Sequence, residues 1–163
     1  MGQAREVLDR LTDAIFSRDW EAVAALYSPE GVAVTPDQGE VRGNHAIAQW
    51  SREFLDAFPD ARYESVFAHE SDNTAIDEGY MIGTNTGPIA SPTGESIPPT
   101  GKTVRLRACD IATVEDRAIT SHRSTSTRWS SWASLASWRS RRGCGHWFPA
   151  SFSESAWPAG SGL

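Results

Sequence analysis

The sequence predicts an α+β domain in which three N-terminal helices pack on one face of a curved, mostly antiparallel sheet. Three observations carry this. Up to Pro59 the apolar residues recur at spacings of three and four, the mark of amphipathic helices. After Pro59 they recur at every second position, the mark of strands. The strand-like segments then follow one another with no helix between them, which places the helices together on one side of the sheet. A chain of 163 residues is long enough for one such core and short for two.

Taken in order, Val7, Leu8, Leu11, Ala14 and Ile15 form one stripe of a first helix, with Arg5, Glu6, Asp9, Arg10 and Asp13 facing away. Asp19 is a candidate N-cap for a second, short helix whose stripe is Ala22, Val23, Leu26 and Tyr27, ended by Pro29 and Gly31. Val32 to Thr35 reads as a strand and Pro36 to Gly39 as a turn. A third helix starts at Asn44 as N-cap, buries Ile47, Trp50, Phe54 and Phe58, and stops before Pro59. Strands are expected over Arg62–Glu70, Ala75–Thr86, Thr103–Val114 and from Ala118 to about Arg123. A Pro/Gly/Ser/Thr loop, Gly87 to Gly101, separates the second and third of these, and a tight hairpin joins the last two.

Composition narrows the function. No apolar run approaches the roughly 20 residues that span a bilayer, and the N-terminus has neither the apolar segment of a signal peptide nor the character of a transit peptide. A cytoplasmic protein without membrane contact is expected. Cys109 and Cys144 make no disulfide framework and no zinc-spaced pair, so no structural metal is expected. Residues 1 to 123 carry 11 Lys and Arg against 20 Asp and Glu, a net −9 that repels phosphate backbones and argues against nucleic acid as a partner. Residues 124 to 163 carry four Arg against one Glu and hold five of the seven tryptophans. The chain is accordingly divided into a domain, residues 1–123, and an atypical Ser/Trp/Arg-rich tail, residues 124–163, expected to be poorly packed because its tryptophan spacing fits neither helix nor strand.

A further pattern lies in the junctions. A helix pair ending Leu26-Tyr27-Ser28-Pro29-Glu30-Gly31-Val32 is followed by a third helix ending Ala57-Phe58-Pro59-Asp60 and a strand ending Gly83-Thr84-Asn85-Thr86-Gly87. Ile97-Pro98-Pro99-Thr100-Gly101-Lys102 then precedes a long strand and a hairpin reaching His122-Arg123. Over about residues 4 to 123 this resembles the SnoaL-like polyketide (ester) cyclases, of the nuclear-transport-factor-like cone folds. The resemblance implies a cone-shaped sheet with the helices on its concave face, a homodimer, and acid/base chemistry with no metal or organic cofactor on a hydrophobic small molecule. In that family the His-Arg pair is followed by an aromatic run ending in aspartate, of the type Phe-Tyr-Phe-Asp-Gln-Met. Here it is Ser124-Thr125-Ser126-Thr127-Arg128-Trp129. Deleting one T from a GC-rich coding of the family run yields these six residues, so the tail is expected to be frameshifted.

Candidate site residues are polar groups on inward-facing strand positions. His122 is the first, because an imidazole exchanges protons near neutrality. Pairing the last hairpin about an Asp116-Arg117 turn sets Ile111 opposite His122 and Cys109 opposite Ser124 on one face, with Asp110 opposite Arg123 on the other. Asp110 is the second catalytic candidate if buried, and otherwise a structural partner of Arg123; a one-residue slip would exchange the two sets. Tyr27, Trp50, Asn85, Arg107 and Cys109 are the substrate-binding candidates. Asn85 stands where the resemblance has histidine in a Gly-Thr-His-Thr-Gly run. His45 and His69 are expected to be exposed. Two functions stay open: an aldol cyclase or isomerase acting on a hydrophobic carbonyl compound through His122 and Asp110, or a noncatalytic ligand-binding or dimerising cone.

Overall fold

The computed structural model describes residues 2–36, 38–90 and 96–126. The expected tail and its frameshifted origin therefore lie, beyond Ser126, outside the described residues. Among the described residues three helices, α1 (Gln3–Ser17), α2 (Trp20–Leu26) and α3 (Asn44–Asp56), accompany eight strands. These are β1 (Tyr27–Thr35), β2 (Gly39–Arg42), β3 (Arg62–Ser71), β4 (Thr74–Thr84), β5 (Ile89–Ala90), β6 (Ser96–Ile97), β7 (Thr103–Glu115) and β8 (Ala118–Ser126). Six of them form one sheet in the order β2-β1-β8-β7-β4-β3, antiparallel except for the parallel pair β1 and β8. β5 and β6 form a separate two-stranded ribbon inside the expected loop.

The helices arise where the apolar stripes place them. α1 buries Ala4, Val7, Leu8, Leu11 and Ala14 against the sheet. Asp19 caps α2 by accepting from the Ala22 N–H at 2.9 Å. Arg18, left-handed at φ 64°, turns the chain between α1 and α2. Its guanidinium then donates to the Leu55 and Phe58 carbonyls, each at 3.0 Å, adding to the backbone bonds those carbonyls accept from the Phe58 and Ala61 N–H groups at the C-terminal end of α3. Phe58, fully buried, seals that end together with Met81, Ile89 and Leu106.

Three local differences from the sequence reading matter. Tyr27 belongs to β1 rather than to the α2 stripe, because the chain becomes extended before Pro29 and not after Gly31. In α3 it is Ile47, Ala48, Ser51 and Leu55 that are buried, which turns Trp50 and Phe54 toward the space between helix and sheet. β8 runs through Ser126, three residues past the expected domain boundary.

The last hairpin decides the site. Asp116 and Arg117 both have positive φ, 49° and 65°, as a two-residue turn matched to strand twist requires. Val114 pairs with Ile119, but Thr113 pairs with Ser121, leaving Thr120 as a bulge. Below the bulge Ala112 faces His122, Ile111 faces Arg123 and Asp110 faces Ser124. The bulge-free pairing expected from the sequence is thereby displaced by one residue, and His122 and Asp110 share the inner face.

Candidate active site

The concave face of the sheet and the helices enclose a cavity of about 130 Å³. α1 contributes Leu8, Leu11 and Phe16, α3 contributes Trp50 and Phe54, and the sheet contributes Tyr63, Met81, Asp110, His122 and Ser124. Most of this wall is apolar, so a charge placed in it is strongly felt.

A hydrogen-bonded chain leads from the core to this wall. The hydroxyl of Tyr27, itself buried, lies 2.6 Å from His122 Nδ1, and His122 Nε2 lies 3.3 Å from Asp110 Oδ1. An ionised carboxylate can only accept, so Nε2 carries the proton it gives to Asp110, and in the neutral imidazole Nδ1 accepts from the Tyr27 hydroxyl. Burial, with the Asp110 charge adding to it, pushes the Tyr27 phenol far above its ordinary range and holds it protonated for this role. Asp110 is thus aimed by an imidazole that is itself aimed by a phenol. Among the described residues Asp110 has no other hydrogen-bond partner.

A second carboxylate stands directly across the ladder from Asp110. Asp77 pairs with Asp110 between β4 and β7, on the same inner face. It is consumed by structure: Arg5 Nη2 lies 3.0 Å away with both side chains buried, Tyr63 donates at 2.8 Å, and Ser65 donates to both carboxylate oxygens. Burial first, then the bond to Asp77, pushes the Tyr63 phenol far upward as well. Gly79 makes room for that ring: a Cβ there would stand 2.6 Å from Tyr63 Cζ and 2.4 Å from the Glu64 carbonyl.

The candidate residues therefore separate. His122, Asp110 and Trp50 line the cavity, and Tyr27 stands behind His122 rather than on the wall. Arg123, the alternative partner considered for Asp110, is exposed opposite Ile111. Arg107 and Cys109 project to the outer face, since they alternate with the inward Ala108 and Asp110; Arg107 pairs there with Glu78. Burial, then the charges of Asp110 and Glu78, raises the Cys109 thiol, which disfavours it as a nucleophile. Asn85 is fully buried but away from the cavity. It accepts from Thr100 N–H and hydroxyl at 2.9 Å each and donates to the Gly87 carbonyl at 2.8 Å, clamping the loop ahead of β7. His45 and His69 are exposed as expected. Phe16, Phe54, Tyr63 and Asp77 were missed. Phe16 and Phe54 follow the helix stripes, whereas the Arg5–Asp77 pair joins residues 72 apart that no local pattern connects. Among the described residues no cluster of metal-binding side chains occurs and no helix is long and apolar enough to cross a membrane.

A family model described as the SnoaL-like domain matches residues 8–122. Among solved structures, a protein from Jannaschia sp. CCS1 provisionally named a SnoaL-like polyketide cyclase shares 15% identity, with 82% of this chain and 92% of that chain covered and a TM-score of 0.73. A protein from Streptomyces antibioticus provisionally named a polyketide cyclase shares 20% identity over 83% of this chain and 99% of that chain, TM-score 0.66. An LEH-like epoxide hydrolase from M. tuberculosis shares 14% identity over 83% and 90%, TM-score 0.63. These similarities show a common fold. No curated protein matches the sequence significantly.

Proposed function

The chain belongs to the SnoaL-like domain family, and from that premise we propose that it is an acid/base enzyme of the polyketide-cyclase type, acting on a small hydrophobic carbonyl compound. One observation carries this reading: a carboxylate, Asp110, on the wall of an apolar cavity at the end of the Tyr27–His122 chain. Asp110 removes a proton from the carbon next to the substrate carbonyl, and the electron pair of that C–H bond moves into the enolate. His122 keeps the carboxylate in place through Nε2–H. The Ser124 hydroxyl, on the same wall, is the donor that meets the enolate oxygen. The enolate then attacks a second carbonyl carbon of the same molecule, or takes the proton back at another carbon, and protonated Asp110 supplies the proton that completes either outcome. None of these steps requires a further cofactor. An apolar cavity of about 150 Å³ is known to hold benzene, so about 130 Å³ fits a substrate of one ring or a comparably short chain.

The test is deuterium incorporation next to the carbonyl of cyclohexanone or acetophenone in D₂O, followed by NMR. Wild type should accelerate exchange, and Asp110→Asn, which keeps the shape and removes the base, should reduce it by about 10²- to 10⁴-fold. His122→Ala should reduce it less, because the carboxylate remains. Equal exchange by wild type and Asp110→Asn sinks the proposal.

A further inference from the structure

The electrostatics of the cavity point to a ligand class that a carbonyl substrate does not explain. Phe16, Trp50, Phe54 and Tyr63 all line it. They stand as two stacked pairs, Phe16 with Tyr63 at 5.7 Å between ring centroids and Trp50 with Phe54 at 6.4 Å. Aromatic faces carry negative charge and attract cations. The same wall holds one carboxylate, Asp110, and among the described residues no lysine or arginine. Arg5, the cation paired with Asp77, does not line the cavity, and its charge is matched by Asp77 and Asp9. A carboxylate unmatched by any guanidinium or ammonium group among the described lining residues makes the potential of the cavity negative. Beyond it, the excess of 20 acidic over 11 basic residues up to Arg123 gives the surrounding field the same sign.

A neutral ketone uses only the apolar part of such a wall. A small organic cation uses all of it. We propose that the cavity is a binding site for an ammonium ion carrying an apolar or aromatic body of about one ring, its charge directed at Asp110 and its N-alkyl groups against the aromatic side chains. Anions of the same size are rejected by the same charge. This site does not depend on turnover, and a cation held there competes with a carbonyl compound for Asp110.

Phenyltrimethylammonium and tert-butylbenzene have nearly the same shape and differ in charge. Each is titrated into the full chain at pH 8, above the ordinary imidazole range, with backbone and indole NMR signals followed. The cation should bind about tenfold tighter than its neutral isostere, with the largest shifts at Asp110, Trp50 and Phe54. Asp110→Asn should bring the two affinities near parity. Phe16→Leu, which keeps the carboxylate, should weaken the cation more than the isostere, and decides the matter if Asp110→Asn fails to fold. Equal binding of the two ligands, a preference that survives Asp110→Asn, or benzoate binding as tightly as the cation overturns the proposal. Because no exchange rate is read, its failure leaves the acid/base reading standing, and failure of the exchange assay leaves this site standing.

Discussion

Two carboxylates, Asp77 and Asp110, face each other across one rung of the ladder between β4 and β7, and what distinguishes them is Arg5. Like charges directly opposite on neighbouring strands repel. Arg5 cancels one of them, and Tyr63 and Ser65 add hydrogen bonds to the same group, so Asp110 remains as the carboxylate of the cavity. Replacing Arg5 by methionine should leave Asp77 buried without its cation and cost about 3–5 kcal/mol in chemical denaturation. The double variant R5M/D77N, which removes the stranded charge and keeps a group that Tyr63 and Ser65 can bond, should recover much of that loss. A denaturation midpoint unchanged in R5M shows that the pair does not hold α1 to the sheet. At this scale the sequence revealed individual groups but not their partners. His122 and Asp110 were recognisable as titratable residues on the last hairpin. That one carboxylate is neutralised from a helix 72 residues earlier in the chain is a tertiary fact, invisible to periodicity.

At the scale of elements, the helix stripes and the switch to strand alternation after Pro59 were legible, because burial imposes those periods directly on the sequence. The register of β7 with β8 was not. A β-bulge depends on local twist rather than on hydrophobic pattern, and Thr120 carries no mark of one. That single residue moves His122 and Asp110 from opposite faces to the same face. Asn85 shows the converse: its position beside a strand end suggested substrate contact, yet it closes the loop that precedes β7. Asn85→Ala strands the Thr100 N–H and the Gly87 carbonyl, each at about 1–3 kcal/mol. The expected outcome is a clear loss in chemical denaturation with ligand affinity unchanged in the folded fraction. The start of α1 offers a pH prediction. The Arg5 N–H, then that of Gly2, hold the Glu70 carboxylate below its ordinary range. A lowered carboxylate contributes stability above its unfolded value, near 4.3, and that contribution disappears as pH falls through the lower folded value. Glu70→Gln should therefore lower Tm at pH 7 and flatten the loss of Tm on acidification. If both proteins lose Tm in parallel, Glu70 does not anchor the helix.

At the scale of the whole molecule, the three helices cover one face of the sheet, and among the described residues no element covers the other. On that outer face Phe67 and Val66 are 53% and 64% exposed and Ile111 is 39% exposed, with Phe67 stacked on His69. An Arg105 guanidinium lies over the Tyr80 ring beside them, and Arg107 pairs with Glu78. Such a surface, apolar at one end and mixed in charge along its length, suits a second copy of the same chain, because a two-fold axis brings each patch against its equivalent and each cation near an anion. The expected state is a homodimer through this face. Light scattering at micromolar concentration should return about twice the 17.8 kDa of one chain. Phe67→Glu places a charge in the centre of the apolar end, and should shift the mass toward one chain while leaving α-proton exchange intact, since Phe67 lies on the far side of the sheet from Asp110. A mass of one chain for the wild type, or an unchanged dimer in Phe67→Glu, removes this face as the interface. Loss of exchange in a Phe67→Glu monomer would instead mean that pairing of the outer faces holds β7 and β8 in the register on which Asp110 and His122 depend.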